Sequence, residues 1–305
     1  MIELGASHFA DLCACETVRE RIGTVEAERQ NAARTFWTRG LTGIVLAVAA
    51  LLSLLASGWE AAAIVLCVLI LIGAGFAAAK PLMEVSEGLK LPVLEELARR
   101  ASMEYLPGDF TPPVYDRARG VLFGSGLTSQ TFTDLFHGAD EGGCGHAVYE
   151  ACLQRRVGKN SAVVFSGQIY AIHRATRAGG GITVAVPDRS IFNFFKPASD
   201  MERVKIEGDE AFEKRFEIYS TAPMEAKQLF FSSDLRRALL ALREEGAVSI
   251  FVSAEEALVA VSSGKNRFEA GSMLRRLPPE DRVKRMFDDL AASLETLSLL
   301  RRVLG

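Results

Sequence analysis

Residues 40–79 read GLTGIVLAVAALLSLLASGWEAAAIVLCVLILIGAGFAAA and hold a single charge, Glu60. They divide around Ser57-Gly58-Trp59-Glu60 into two apolar runs. Each run has about 19 residues, which at roughly 1.5 Å per residue spans roughly 28 Å, close to the thickness of a hydrocarbon core. Every backbone amide in lipid needs a partner within the protein, so the stretch specifies two helices joined by a short turn. The competing reading, a buried hairpin of a soluble core, is disfavoured because core helices rarely run that far without a polar face.

The flanks turn this hairpin into a topology. Trp37 and Trp59, the chain's 2 tryptophans, bracket the first run. Their 22-residue separation is roughly 33 Å of helix, the spacing of an interfacial aromatic pair. Gly43, Ala47, Ala50, Ser53 and Ser57 recur at helical spacing on the first run, and Gly73–Ala77 and Gly75–Ala79 on the second; such small faces let backbones approach in lipid. Arg29, Arg34 and Arg39 precede the hairpin, Lys80, Lys90, Arg99 and Arg100 follow it, and the turn has neither lysine nor arginine. The positive-inside rule then places both termini in the cytoplasm. An apolar run beginning at residue 40 is too far from the start for a signal peptide.

The remaining composition is ordinary. The 305 residues carry a net charge of −3, which gives no footing for nucleic-acid binding. Mean hydropathy is nevertheless positive, +0.16, and residues 40–79 account for the excess. The 5 cysteines are odd in number, lack a CxxC pair and include Cys67 within the second run, a pattern of reduced thiols.

Periodicity predicts a helix over residues 7–39, with Phe9, Leu12, Val18, Ile22 and Val25 on one side. Pro81 and Pro92 mark a charged connector, and Pro92 opens a helix whose apolar face is Leu94, Leu97, Ala98, Ala101 and Tyr105. Strands follow from about Ala147: AVYEACLQ, VVFSGQIYAI and GITVAVP, with the glycine run at 179–181 read as the hairpin turn between the last two. RVKIEG and FEIYST are shorter strands. A helix is expected over 223–245, a strand hairpin around Glu255-Glu256, and a final helix from Pro279. The expected fold is α+β. A juxtamembrane helix (1–39) and a two-helix transmembrane hairpin (40–79) precede a cytosolic domain (80–305) built on a mixed, mainly antiparallel sheet.

Catalytic signals are sparse. Cys144 and His146, in Gly142-Gly143-Cys144-Gly145-His146, are the most enzyme-like pair: a thiol beside a base in a glycine turn whose amides could face an oxyanion. No third group that would orient the histidine is identifiable. His137, Cys144, His146 and Cys152, or His8, Cys13 and Cys15, have no metal-site spacing. The turn His173–Arg177 is a basic tip with anion-binding character. Arg282, Lys284, Arg285, Arg301 and Arg302 could meet anionic lipid, although neighbouring acids dilute the idea. No cofactor motif occurs.

Several segments together resemble a known family. They are the hairpin, the helix ending Glu104-Tyr105-Leu106-Pro107, the loop Phe165-Ser166-Gly167, and the run Ile182 to Asp188. The closest part is Val204-Lys205-Ile206-Glu207 through Phe212 to Ser220, then Glu225-Ala226. The chain resembles, over most of residues 35–305, the bacterial membrane proteins of the domain of unknown function 3137 family. Thr221-Ala222-Pro223 departs from the pattern, and the Gly142–His146 loop is particular to this chain. The resemblance implies a bacterial inner-membrane protein and brings no catalytic residues. The expected function is a membrane-anchored cytosolic module whose partners are the bilayer and a protein, a lipid or a second copy of itself. The alternative is a tethered hydrolase or transferase using Cys144 and His146.

Overall fold

The helices of the hairpin do not stop where their apolar residues do. The computed structural model describes residues 6–108, 110–139, 143, 145–174, 181–187 and 198–305. The chain divides into two compact units, residues 5–97 with 268–289 and residues 98–267 with 290–305.

The first unit opens with α1 (Ala6–Ala14), α2 (Glu16–Ala56) and α3 (Glu60–Arg100). The last two have 41 residues each, or about 62 Å of helix. Cys15, in extended conformation, separates α1 from α2. The turn between α2 and α3 closes as a glycine cap: Gly58 has φ +76, Trp59 N–H donates to Leu54 O at 3.0 Å and Gly58 N–H to Leu55 O at 3.0 Å. Those two bonds satisfy carbonyls that the end of α2 would leave bare.

The charged connector expected after residue 79 is instead continuous helix, although Pro81 and Pro92 lie inside it. A proline has no N–H for the carbonyl four residues back, so Ala77 and Gly88 are left with orphaned acceptors. Both are filled from α2. Arg39 Nη1 donates to Ala77 O at 2.8 Å, and Arg21 Nε donates to Gly88 O at 3.0 Å. A Cβ on Gly88 would stand 2.6 Å from Arg21 Nη2, so glycine is what admits the guanidinium there. The helix also ends earlier than expected: Ser102 takes a left-handed φ of 56, and Tyr105 falls on a strand.

Within the apolar halves, Gly43 is a point of close approach. A Cβ built on it would lie 2.2 Å from the Ala74 Cβ. Ala47 is buried like Gly43, Ala50 is half-buried, and Ser53 and Ser57 are exposed. On α3, Ala63 and Ala78 are buried and Ala74 is half-buried, whereas Gly73 and Ala77 are exposed. Ala74, which meets Gly43, belongs to neither of the stripes Gly73–Ala77 and Gly75–Ala79 expected on this helix.

The second unit contains β1 (Glu104–Leu106), α4 (Tyr115–Leu122), β2 (Leu127–Ala139), β3 (Gly145–Val157), β4 (Asn160–His173), β5 (Thr183–Pro187), β6 (Glu202–Val204), α5 (Glu210–Glu213), β7 (Phe216–Ser220), α6 (Pro223–Phe231), α7 (Ser233–Arg243), β8 (Ala247–Val252) and β9 (Glu256–Ser262). The last helix, α8 (Pro279–Leu304), enters this unit at Leu290. The strands form one sheet in the order β1-β2-β3-β4-β9-β8-β5-β7-β6. Every neighbouring pair is antiparallel, as the α+β class requires.

Both faces of the central strands are covered. On one, Phe165, Ile169 and Ala171 of β4 join Tyr115, Ala118 and Leu122 of α4 in the main apolar cluster. On the other, Gln168 Nε2 donates to Ser293 Oγ of α8 at 3.0 Å, and Gln168 Oε1 accepts from the Tyr170 hydroxyl at 2.8 Å. Burial pushes that phenol up to about 12. Two-sided burial explains why β5 and β9 read as unbroken apolar runs.

The expected hairpin of β4 with β5 does not form. β4 pairs with β9 and β5 with β8, so a complete hairpin stands between them; residues 179 and 180 of the glycine run lie outside the described residues. The short β8–β9 turn, closed by Ser253 N–H on Glu256 O at 2.8 Å, lets those strands enter the sheet as one piece. α4, α5, β1 and β2 have no counterpart among the expected elements, and the expected helix over 223–245 breaks into α6 and α7 around Ser232.

The proline carbonyls give a direct test. Combining Arg21→Met with Pro92→Ala in a double-mutant cycle should show coupling of about 1 kcal/mol, because restoring the backbone N–H removes the need for the guanidinium. The Arg21–Glu28 ion pair (3.1 Å) is lost on both sides of the cycle and cancels. Additive losses in thermal unfolding would contradict the role given to Arg21.

Candidate functional site

Residues 26, 30, 33, 34, 37 and 38 recur every three or four positions along α2 and so present one face. Against that face lies the segment 268–278, from the same compact unit. Arg29, 5% exposed, ties the two together. It grips Glu26 through Nε–Oε2 at 2.8 Å and Nη2–Oε1 at 2.7 Å, while Nη1 donates to Met273 O at 3.3 Å. Glu26 also accepts from Gln30 Nε2 at 2.9 Å. The Arg29 and Gln30 hydrogen bonds hold its carboxyl down at about 2.

The 268–278 segment owes its shape to a second guanidinium. Arg282, 2% exposed, donates to Ala270 O at 2.9 Å, Ser272 O at 3.2 Å and Arg275 O at 2.7 Å. Its positive charge is met by carbonyl dipoles, and burial together with nearby Arg29 lowers its pKa. On the opposite side, Lys90 of α3 pairs with Glu269 at 2.9 Å. The result is a groove of about 790 Å³ whose walls include Glu26, Arg29, Arg34, Trp37, Leu274 and Arg276. Chemically it is a cationic trough with an indole at one side.

A smaller cavity of about 300 Å³ in the sheet unit is lined by Arg174, Thr183, Glu225, Gln228 and Ser253 among others. Arg174 donates to Leu304 O at 2.6 Å and Ser253 O at 2.8 Å, so it is occupied in holding strand and helix ends together. It is also the second residue of the expected basic turn His173–Arg177. Residues 175–177 lie outside the described set, and His173 faces Glu256 at 3.8 Å.

Of the expected catalytic pair, Cys144 lies outside the described residues. His146, the second residue of β3, is 5% exposed and in register with Gly138 and Ile172 of the flanking strands. A base packed inside a sheet is poorly placed to serve a solvent-borne substrate, so the hydrolase or transferase alternative gains no support. His137 pairs with Glu104 at 3.3 Å. Among the described residues no three His, Cys, Asp or Glu side chains gather as a metal site. Trp37 and Trp59 are 68% and 67% exposed. Trp37 was legible from its spacing; its neighbours Leu274 and Arg276 were not, because nothing local ties them to α2.

Arg282→Met removes the donors of three carbonyls in one step and should destabilise the segment by about 2–4 kcal/mol. The expected readout is a lower thermal midpoint and faster protease cleavage within 268–278. Cleavage unchanged from the parent would mean that the segment holds its shape without Arg282.

Comparison with known proteins adds a single family. No curated protein and no solved structure matches the chain. The family model described as "Protein of unknown function (DUF3137)" matches residues 163–302, a shorter span than the 35–305 over which the resemblance was read. It begins within β4 and ends within α8, and includes Phe165–Gly167, Val204–Glu207 and Phe212–Ser220, whereas the hairpin and Glu104–Pro107, which also carry the resemblance, lie outside it. Over residues 163–302 the chain is therefore similar to the DUF3137 family of proteins of unknown function.

Proposed function

We propose that this protein is a two-pass, membrane-anchored module that keeps an α+β domain at the cytoplasmic face of the bacterial inner membrane, where it engages a protein or lipid partner. The observation carrying the anchor is the surface of the hairpin. α2 and α3 are each long and apolar enough to cross a membrane, with peak mean hydropathies of 2.0 and 2.7 and 11% of each apolar window buried. Leu41, Leu52, Ile64, Leu69 and Phe76 are between 60% and 76% exposed. A contiguous apolar surface of this kind is unfavourable in water, and hydrocarbon removes the penalty.

The proposed layout is 1–39 and 80–305 in the cytoplasm and 40–79 in the bilayer. The cationic flanks and the lysine- and arginine-free turn support that orientation. The family match supports a relation to proteins of unknown function and no particular reaction.

A bacterial expression test separates the parts of this reading. The protein should stay in the membrane pellet after alkaline carbonate. A fluorescent reporter fused after Gly305 should be bright, and an alkaline phosphatase fused at the same place should be inactive. Extraction by carbonate would overturn the anchor; an active phosphatase would overturn the orientation.

A further inference from the structure

Anchoring makes no use of the groove beside α2, and its lining differs from what packing alone would leave. Arg29 is fully engaged by Glu26 and Met273 O. The guanidinium groups of Arg34 and Arg276 line the same groove, and among the described residues neither takes part in a hydrogen bond or ion pair. Since Arg29 already matches Glu26, the two other arginines leave the groove with an uncompensated positive charge. Two guanidinium groups, each a fork of N–H donors, are well suited to the oxygens of a phosphate.

The groove's position and size narrow the source of that phosphate. Arg34 precedes Gly40, where the apolar run begins, by six residues or roughly 9 Å of helix. The polar layer of a bilayer is about 5–8 Å deep on each side, within reach of a long arginine side chain. Trp37 stands between them at 68% exposure, and Leu274 adds an apolar contact at 42%. A volume of about 790 Å³ is far more than an inorganic ion needs and accommodates a headgroup with the first carbons of its chains.

We propose, resting on the anchor reading above, that this groove binds the phosphodiester headgroup of an anionic phospholipid. Arg34 and Arg276 hold the phosphate, and Trp37 and Leu274 meet the glycerol and upper acyl carbons. Each well-placed arginine at a membrane surface is worth about fivefold in affinity, so the pair is expected to give a preference of about tenfold or more for anionic over zwitterionic lipid.

The test uses the full chain carrying Trp59→Phe, which leaves Trp37 as its one indole, in nanodiscs containing dibrominated phosphatidylglycerol or dibrominated phosphatidylcholine. Bromine quenches tryptophan at contact range. The brominated anionic lipid should quench Trp37 as though enriched about tenfold over its bulk fraction. Arg34→Gln with Arg276→Gln should return quenching to the bulk level, while Lys159→Gln with Lys227→Gln, which changes net charge equally, should not. Millimolar inorganic phosphate should leave the quenching in place. Equal quenching by the two lipids, a preference that survives the arginine pair's replacement, or one lost equally in the lysine control would overturn the site and leave the anchor standing. Relief by inorganic phosphate would overturn the lipid as ligand. Absence of quenching by either lipid would overturn the anchor reading itself.

Discussion

A carbonyl oxygen that loses its helical partner must find another donor, and in or near a membrane water is a poor substitute. α3 meets this requirement twice, at Ala77 and Gly88, because Pro81 and Pro92 lie inside it. Arg39 and Arg21 of α2 supply the missing donors, so the bonds that rescue α3 also fasten it to α2. Continuity of α3 through its prolines depends on them.

Guanidinium groups recur as the joints of the helical unit. Arg29 clamps the 268–278 segment against α2, and Arg282 folds that segment around its own donors. Both are almost completely buried, and both satisfy backbone carbonyls in addition to or in place of carboxylates. A planar cation with five N–H donors can serve several carbonyls at once, which an ammonium cannot do in the same geometry. Arg34 and Arg276 have the same chemistry without an acceptor among the described residues, which is why the groove reads as a place for an external one.

Much of the fold was legible because its signals are local. Residues 40–79 declare themselves by length and lack of charge. β3, β4, β5, β8 and β9 show through β-branched and aromatic runs, and α8 through its one-sided leucines. β2 was hidden because LTSQTFTDLFHGA is polar along much of its exposed half and is interrupted by Asp134 at φ 56. The β4–β5 neighbourhood was misread because adjacency in sequence says nothing about a later hairpin inserting between two strands. The helix through Pro81 and Pro92 was misread for a related reason. Proline's local penalty is visible in the sequence, but Arg21 lies 67 residues from the carbonyl it fills. The groove was half legible: Arg34 and Trp37 stood out, whereas Leu274 and Arg276 reach it through a bond spanning 244 residues, from Arg29 to Met273.

The continuity of α3 through both prolines is the claim on which the rest stands, and a distance along the helix tests it most directly. Spin labels at Glu60→Cys and Glu95→Cys, in a chain whose native cysteines are replaced by serine, can be measured by pulsed electron double resonance in nanodiscs. An unbroken helix places the two positions ~52 Å apart with a narrow distribution. A broad distribution, or one centred below about 45 Å, would show a break or sharp kink at a proline and contradict the account.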